Sequence, residues 1–198
     1  KLAQSSVEME KLRTSLRQAR AEALTDALTG IANRKLFDET LRLRKEEADS
    51  EKTELSLLLC DIDHFKSFND TWGHQTGDQV IRFVASALAK FALPDHLVAR
   101  YGGEEFAVIM PRTPLKEAGR IADQIRSAIE AKRLVRRSTN ETIGAVTVSF
   151  GGAIYSRGET VGQLIARSDE CLYMSKRNGR NRVTLETSLP PLSASNAA

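Results

Sequence analysis

The chain has 198 residues, 41% of them hydrophobic and 28% charged, with a net charge of +3. That suits one well-buried globular domain and is short for two; so small a charge implies no general affinity for nucleic acid, leaving only local basic clusters to meet phosphate. No apolar run approaches bilayer length and no signal peptide is visible, while a first residue of lysine reads as a piece cut from a longer protein, with room in the missing part for other domains or a membrane anchor. Leu2, Met9, Leu16 and Ala23 recur every seven positions, with Ser5, Leu12 and Ala19 between them. This predicts a helix over 1–24 that pairs with its own copy, or one that lies on the domain. "TDALTGIANR" interrupts it, with Gly30 as punctuation and Asn33 as a cap for a helix over about 34–48. "LSLLLCDI" is apolar throughout and predicts a central strand covered on both faces. Val80, Ile81, Val84, Leu88 and Phe91 stripe a helix that ends before Pro94.

"LVARY" and "EFAVIM" then flank Gly102-Gly103, which predicts a hairpin turned by two residues with positive φ. Ala118, Ile121, Ala122, Ile125 and Ile129 mark another helix, "AVTVSFGGAIY" a strand, Leu164 to Leu172 a last helix and "RVTL" a short final strand. The main domain spans 25–186, and the tail 187–198 has little to bury and is expected to be disordered. The order contains βαββαβ, so the fold class is α/β (α+β): a ferredoxin-like sandwich with a mostly antiparallel five-stranded sheet flanked by helices. Cys60 and Cys171 sit among apolar neighbours and read as buried free thiols, which fits a reducing, cytoplasmic setting.

In this topology the third strand lies antiparallel beside the first, which brings Asp61 next to Glu104 and Glu105. Adjacent acids repel and raise one another's pKa, so a cation is expected there. Asp61 and Glu104 are hard oxygen donors of the kind Mg²⁺ takes together with phosphate oxygens, although acids also end strands simply to be solvated. In "DIDHFKSFNDTWGHQTGD", Lys66 is placed to neutralise phosphate, and Asn69 and Asp78 carry the donor and acceptor groups a purine edge requires; both types equally suit caps and turns. "KRNGRNR" reads as a phosphate clamp of Lys176 and Arg180, or as dipole compensation with a glycine cap. His74 and His96 lack ligand-spaced partners and read as structural or solvated.

Taken in order, "DALTGIANR", "DIDHFKSFNDTWGHQTGD", "RYGGEEF", "VSFGGA" and "DECLYMSKRNGRN" resemble the GGDEF family of diguanylate cyclases, with GGEEF as a variant signature. The resemblance covers Asp26 to Val183 and implies a fold akin to nucleotidyl cyclase and polymerase palm domains, behind an N-terminal coiled-coil helix. It implies condensation of two GTP into cyclic di-GMP with release of two pyrophosphates, across a homodimer whose active sites face each other. By motif position, Asp61, the Ile62 carbonyl and Glu104 would hold Mg²⁺, two ions per site with Mn²⁺ as a substitute. Glu104 would also take the hydroxyl proton, Glu105 would assist at the metal site, and Lys66 would stabilise the transition state. The backbone at His64 and Phe65 would contact phosphate, Asn69 and Asp78 would read guanine, and Lys176 with Arg180 would hold the terminal phosphates.

The chain departs from the family at the Arg-x-x-Asp product site, whose positions here are Leu93 and His96 in "LPDH", with Asp95 out of register. Without the guanidinium, product inhibition through that site is expected to be absent. Trp72, where phenylalanine is usual, reads as a packing change. The expected partners are GTP, a second copy through the N-terminal helix, and an upstream sensor or receiver; neither nucleic acid nor membrane is expected to contact this segment. Two other readings stay open: an inactive GTP- or cyclic di-GMP-binding module, and another nucleotidyl cyclase or palm-type polymerase.

Overall fold

In the computed structural model, which describes residues 8–15, 22–135 and 141–188, every residue of β1 (Leu55–Ile62) is buried. Its alternate side chains serve two cores. Leu58, Cys60 and Ile62 enter one with Val80, Val84, Phe106 and Ile125, while Leu55, Leu57 and Leu59 enter the other with Phe37, Leu41 and Leu172. Burying each such side chain contributes about 2 kcal/mol, so a run with no polar alternation is stable only between two helical layers.

The helices forming those layers are α1 (Arg34–Glu51), α2 (Phe65–Trp72), α3 (His74–Phe91), α4 (Leu115–Glu130) and α5 (Val161–Arg177). The sheet adds β2 (Leu97–Arg100), β3 (Glu105–Pro111), β6 (Val148–Ile154) and β7 (Val183–Leu185) in the order β2-β3-β1-β6-β7. β1 pairs antiparallel with β3 and β6, and β7 joins β6 in parallel. This is the expected mostly antiparallel five-stranded sheet, including the expected placement of the third expected strand beside the first.

Local signals set the helix ends. Asn33 caps α1 by accepting from the Leu36 amide at 3.1 Å. Thr160 and Gln163 form a reciprocal capping box at the start of α5, satisfying two amides that would otherwise lack partners. Residues 8–15 and 22–24 are helical, and Met9 and Leu12 are exposed on that helix. Leu2, Ser5, Leu16 and Ala19 of the heptad, and all but the first two residues of the expected tail, lie outside the described residues.

Three expectations need correction. Lys66 and Asn69 lie on α2, an eight-residue helix that the periodicity did not signal, and α3 begins at His74 rather than near Val80. "AVTVSFGGAIY" is not one strand: Ala145 ends β5 (Thr142–Ala145), which pairs with β4 (Arg133–Val135) in a separate two-stranded ribbon. Gly102 and Gly103 do not have positive φ, and the connection spans 101–104. The reason for Gly102 is space: a Cβ there would lie 2.4 Å from a Glu105 carboxylate oxygen.

Candidate functional site

The end of β1, the loop before β3, the first turn of α2 and the end of α5 line an open cavity of about 410 Å³. Asp61, Ile62, His64, Phe65, Lys66, Glu104, Lys176 and Arg180 all line it. The sheet makes the acidic side: Asp61 is in register with Glu105, and the Ile62 amide donates to the Glu104 carbonyl at 3.3 Å. The basic side begins with Lys176, whose Nζ lies 2.8 Å from Asp61 Oδ2 while the Asp61 side chain is only 12% exposed. Burial raises the Asp61 pKa above the ordinary 3.8; Lys176 opposes this, and Glu104 and Glu105 push it further up.

Glu105 does not line this cavity and packs over Gly102, so of the three expected acids only Asp61 and Glu104 do, together with Asp63 and Asp70. Among the described residues no group of three or more His, Cys, Asp or Glu side chains is arranged to hold an ion. The donor set nevertheless suits a hard divalent cation: a buried carboxylate, a second carboxylate and the backbone of Ile62 on one wall, with room for phosphate oxygens and water.

Asn69 and Asp78 do not line the cavity. Asn69 lies on α2 and Asp78 on α3, and at the seam between these helices Asn69 Oδ1 is buried without a hydrogen-bond partner. A Cβ on Gly77 would lie 1.9 Å from that oxygen, so the glycine next to Asp78 is what admits the Asn69 amide. Such an unmade bond costs about 1–3 kcal/mol unless a ligand supplies the donor.

Sequence reasoning missed two supports. Arg100 donates through Nη1 to both Asp26 oxygens at 3.2 Å and through Nη2 to the Gly103 carbonyl at 2.7 Å, fastening "DALTG" to the glycine loop. Asp63, buried in the cavity wall, accepts from Ser149 Oγ at 2.7 Å, Thr147 Oγ1 at 2.8 Å and the Asn181 amide at 3.0 Å. No spacing rule points to it, because its donors are 84, 86 and 118 residues away.

Residues 23–182 match the family described as "Diguanylate cyclase, GGDEF domain". The chain belongs to the GGDEF family. This GGDEF domain is 37% identical over 179 residues to the diguanylate cyclase VdcA of Vibrio cholerae, covering 90% of the chain and 52% of VdcA. It is 41% identical over 173 residues to the response regulator PleD of Caulobacter vibrioides, covering 87% of the chain and 38% of PleD. The chain thus spans about half or less of these relatives. Among solved structures, the coiled coil and GGDEF domain of DgcB from Caulobacter crescentus, in complex with c-di-GMP, superposes with a TM-score of 0.90 at 50% identity. That match covers 93% of this chain and 96% of the other.

His96 is structural, as expected. Its Nδ1 accepts from the Leu93 amide at 3.2 Å, so the proton sits on Nε2, 3.1 Å from Thr113 Oγ1. Burial lowers its pKa below the ordinary 6.5 although Asp95 pulls it up. Because the folded ring binds its proton less readily than the unfolded one, its contribution is complete above 6.5 and is lost as pH falls through the lowered folded value. The stability difference between the protein and His96→Gln, measured by denaturant unfolding, is therefore expected to shrink from about pH 7 to about pH 5. A difference that stays constant across that range would contradict this assignment.

Cys60 and Cys171 are buried and free, as expected; burial pushes the Cys171 thiol up to about 11 and Cys60 up as well. No helix among the described residues is long and apolar enough to cross a membrane.

Proposed function

We propose that this GGDEF domain is a diguanylate cyclase that joins two GTP molecules into cyclic di-GMP across a homodimer, with two divalent ions per site. One observation carries the reading: Asp61 and Glu104 share a cavity with Lys66, Lys176 and Arg180, which is the charge pattern of a polyphosphate site. Asp61, the Ile62 carbonyl and Glu104 would hold Mg²⁺, which when bound lowers the pKa of an attacking hydroxyl and offsets polyphosphate charge.

The remaining work falls to the chain's own residues. Asn69 and Asp78 receive guanine at the α2–α3 seam. Asp78 accepts from N1–H and the exocyclic amine, a donor pair that adenine does not present on that edge. The first turn of α2 has no side-chain cap, which leaves its N–H groups at His64 to Lys66 to receive phosphate. Lys176 and Arg180 hold the terminal phosphates, and Lys66 offsets charge that builds on the leaving group. Moving the Lys176 ammonium onto phosphate leaves Asp61 needing another cation, so nucleotide and metal are expected to bind together. Glu104 accepts the proton of the 3′-hydroxyl. Each hydroxyl oxygen bonds to the α-phosphorus of the other GTP, the bond to the β,γ-pyrophosphate breaks, and two pyrophosphates leave.

One chain carries one set of guanine and phosphate residues, so the second GTP belongs to a second copy. The exposed Met9 and Leu12 support pairing through the N-terminal helix, as does the coiled coil in the DgcB structure. The match to a response regulator supports an upstream receiver or sensor, and the two buried thiols support a cytoplasmic site. The test is incubation with GTP and Mg²⁺ followed by chromatography, with ATP in parallel. Cyclic di-GMP and pyrophosphate from GTP alone are the expected products. GTP bound and left unchanged would instead make the domain a binding module.

Product inhibition through the Arg-x-x-Asp position is expected to be absent, because Leu93 is exposed and apolar and the His96 ring is engaged with Leu93 and Thr113. Titration calorimetry should show no sub-micromolar cyclic di-GMP binding there, and the pair Leu93→Arg with His96→Asp should create it. Binding to the unaltered protein that Leu93→Ala abolishes would contradict this.

A further inference from the structure

Arg180 reaches the cavity from an unusual stretch of backbone: Gly179, Arg180 and Asn181 all have positive φ, at 110°, 62° and 46°. Arg180 carries a side chain that disfavours that region and Asn181 one that tolerates it, so a run of three such residues persists only if neighbouring bonds hold it. Two backbone bonds flank the stretch, from the Arg180 amide to the Ser175 carbonyl at 2.9 Å and from the Phe150 amide to the Arg182 carbonyl at 2.8 Å. Between them the Asn181 amide, the one next to Arg180, donates to Asp63 Oδ2 at 3.0 Å. The Asn181 side chain is tied separately to α4, accepting from Arg126 at 3.0 Å and donating to Glu130 at 2.7 Å.

Asp63 is itself fixed. It is 8% exposed, and the Ser149 and Thr147 hydroxyls at the start of β6 orient its two oxygens. A carboxylate with three donors and no room to turn acts as a rigid bracket between the sheet and the loop. It lines the cavity wall without being needed as an ion ligand, since all three bonds go to the chain itself.

We propose that Asp63 is a positioning residue: by holding the Asn181 amide it aims Arg180 at the terminal phosphates of GTP. This rests on the nucleotide reading above. Asp63→Asn keeps one oxygen and replaces the other by a donor, so three donors compete for a single neutral acceptor and the hold on the loop weakens while the shape stays nearly the same. GTP affinity is then expected to fall about tenfold, whereas GMP, which lacks the β- and γ-phosphates, binds as before. In turnover the KM for GTP rises by a similar factor, with kcat changed far less. Asp63→Asn and Arg180→Ala together are expected to weaken GTP no more than Arg180→Ala alone, because the first acts through the second.

Calorimetry with GTP and GMP on the dimeric protein, the single variants and the double variant decides it. Additive losses, or equal weakening of GTP and GMP, overturn the proposal while wild-type cyclisation stands. A wild-type protein that binds GTP no better than GMP and forms no cyclic product takes down the nucleotide reading with it. Should Asp63→Asn fail to fold, Thr147→Val removes one orienting hydroxyl at constant shape. It is expected to weaken GTP a few-fold and spare GMP, and no such split would count against the bracket equally.

Discussion

Alanine in place of Glu104 is expected to abolish cyclic di-GMP formation while leaving the fold intact. Glu104 lies in the loop before β3, and the contact it gives the fold is made by its backbone: the carbonyl accepts from the Ile62 amide, which alanine preserves. Glu104 lines the cavity together with Asp61, Lys66, Lys176 and Arg180. In the proposed reaction its carboxylate is both a metal donor and the acceptor of the hydroxyl proton, two contributions that matter most in the transition state. Losing them together is expected to lower kcat by about a thousandfold or more, equivalent to about 4 kcal/mol. GTP binding should fall much less, since Asn69, Asp78, Lys176 and Arg180 remain. Chromatography of products formed from GTP and Mg²⁺, beside a thermal melt of the same sample, checks both halves. Turnover within tenfold of the unaltered protein would remove Glu104 from the chemistry, and a lowered melting point would show that the loss came from the fold.

The parts of this molecule that could be read in advance are those whose signal is local. β1 announces itself because eight consecutive buried positions leave no polar alternation to misread, and α4 because its buried residues recur at helical spacing. The ribbon β4–β5 was hidden for the opposite reason: its described residues are exposed or only partly buried, so no apolar alternation records that they pair. α2 is short and carries Asn69, Asp70 and Thr71, residue types that favour caps and turns over helix interiors. At the site, acids and bases were legible as types but not as partners. Asp61 and Asp63 look alike in "DIDHF", yet one meets Lys176 across the fold and the other is consumed by three internal donors. The glycine pair shows the same limit. Its role was expected in backbone torsion and was found in the space that Glu105 needs above Gly102.

Gly151→Ala is expected to be the most damaging conservative change in the domain. Gly151 lies mid-strand in β6, paired with Leu59 on one side and Thr184 on the other, so sheet pairing holds the backbone in place. A Cβ built there would stand 2.1 Å from the Leu172 amide nitrogen and 2.3 Å from the Ser168 carbonyl oxygen. Both are backbone atoms of α5, which cannot swing aside as a side chain would; the whole helix must lift from the sheet. That overpacking is expected to cost about 3 kcal/mol or more, a large share of a domain's usual stability. Gly152→Ala makes the better comparison than any distant site. The nearest atoms to its Cβ would all be side-chain atoms, of Leu58 and Leu185 at 2.8 Å each and Leu115 at 3.7 Å, and these have rotamers to give. About 1 kcal/mol is expected there. The consequence reaches the cavity, because α5 carries Lys176, and Ser175 ties the helix to the Phe150 carbonyl and Thr184 at 2.7 Å. Whatever fraction of Gly151→Ala still folds should therefore hold GTP poorly, with the Lys176–Asp61 pair pulled apart. Urea unfolding of the two variants side by side checks the ranking. Equal stability would mean that α5 does not rest on the strand at Gly151 as described.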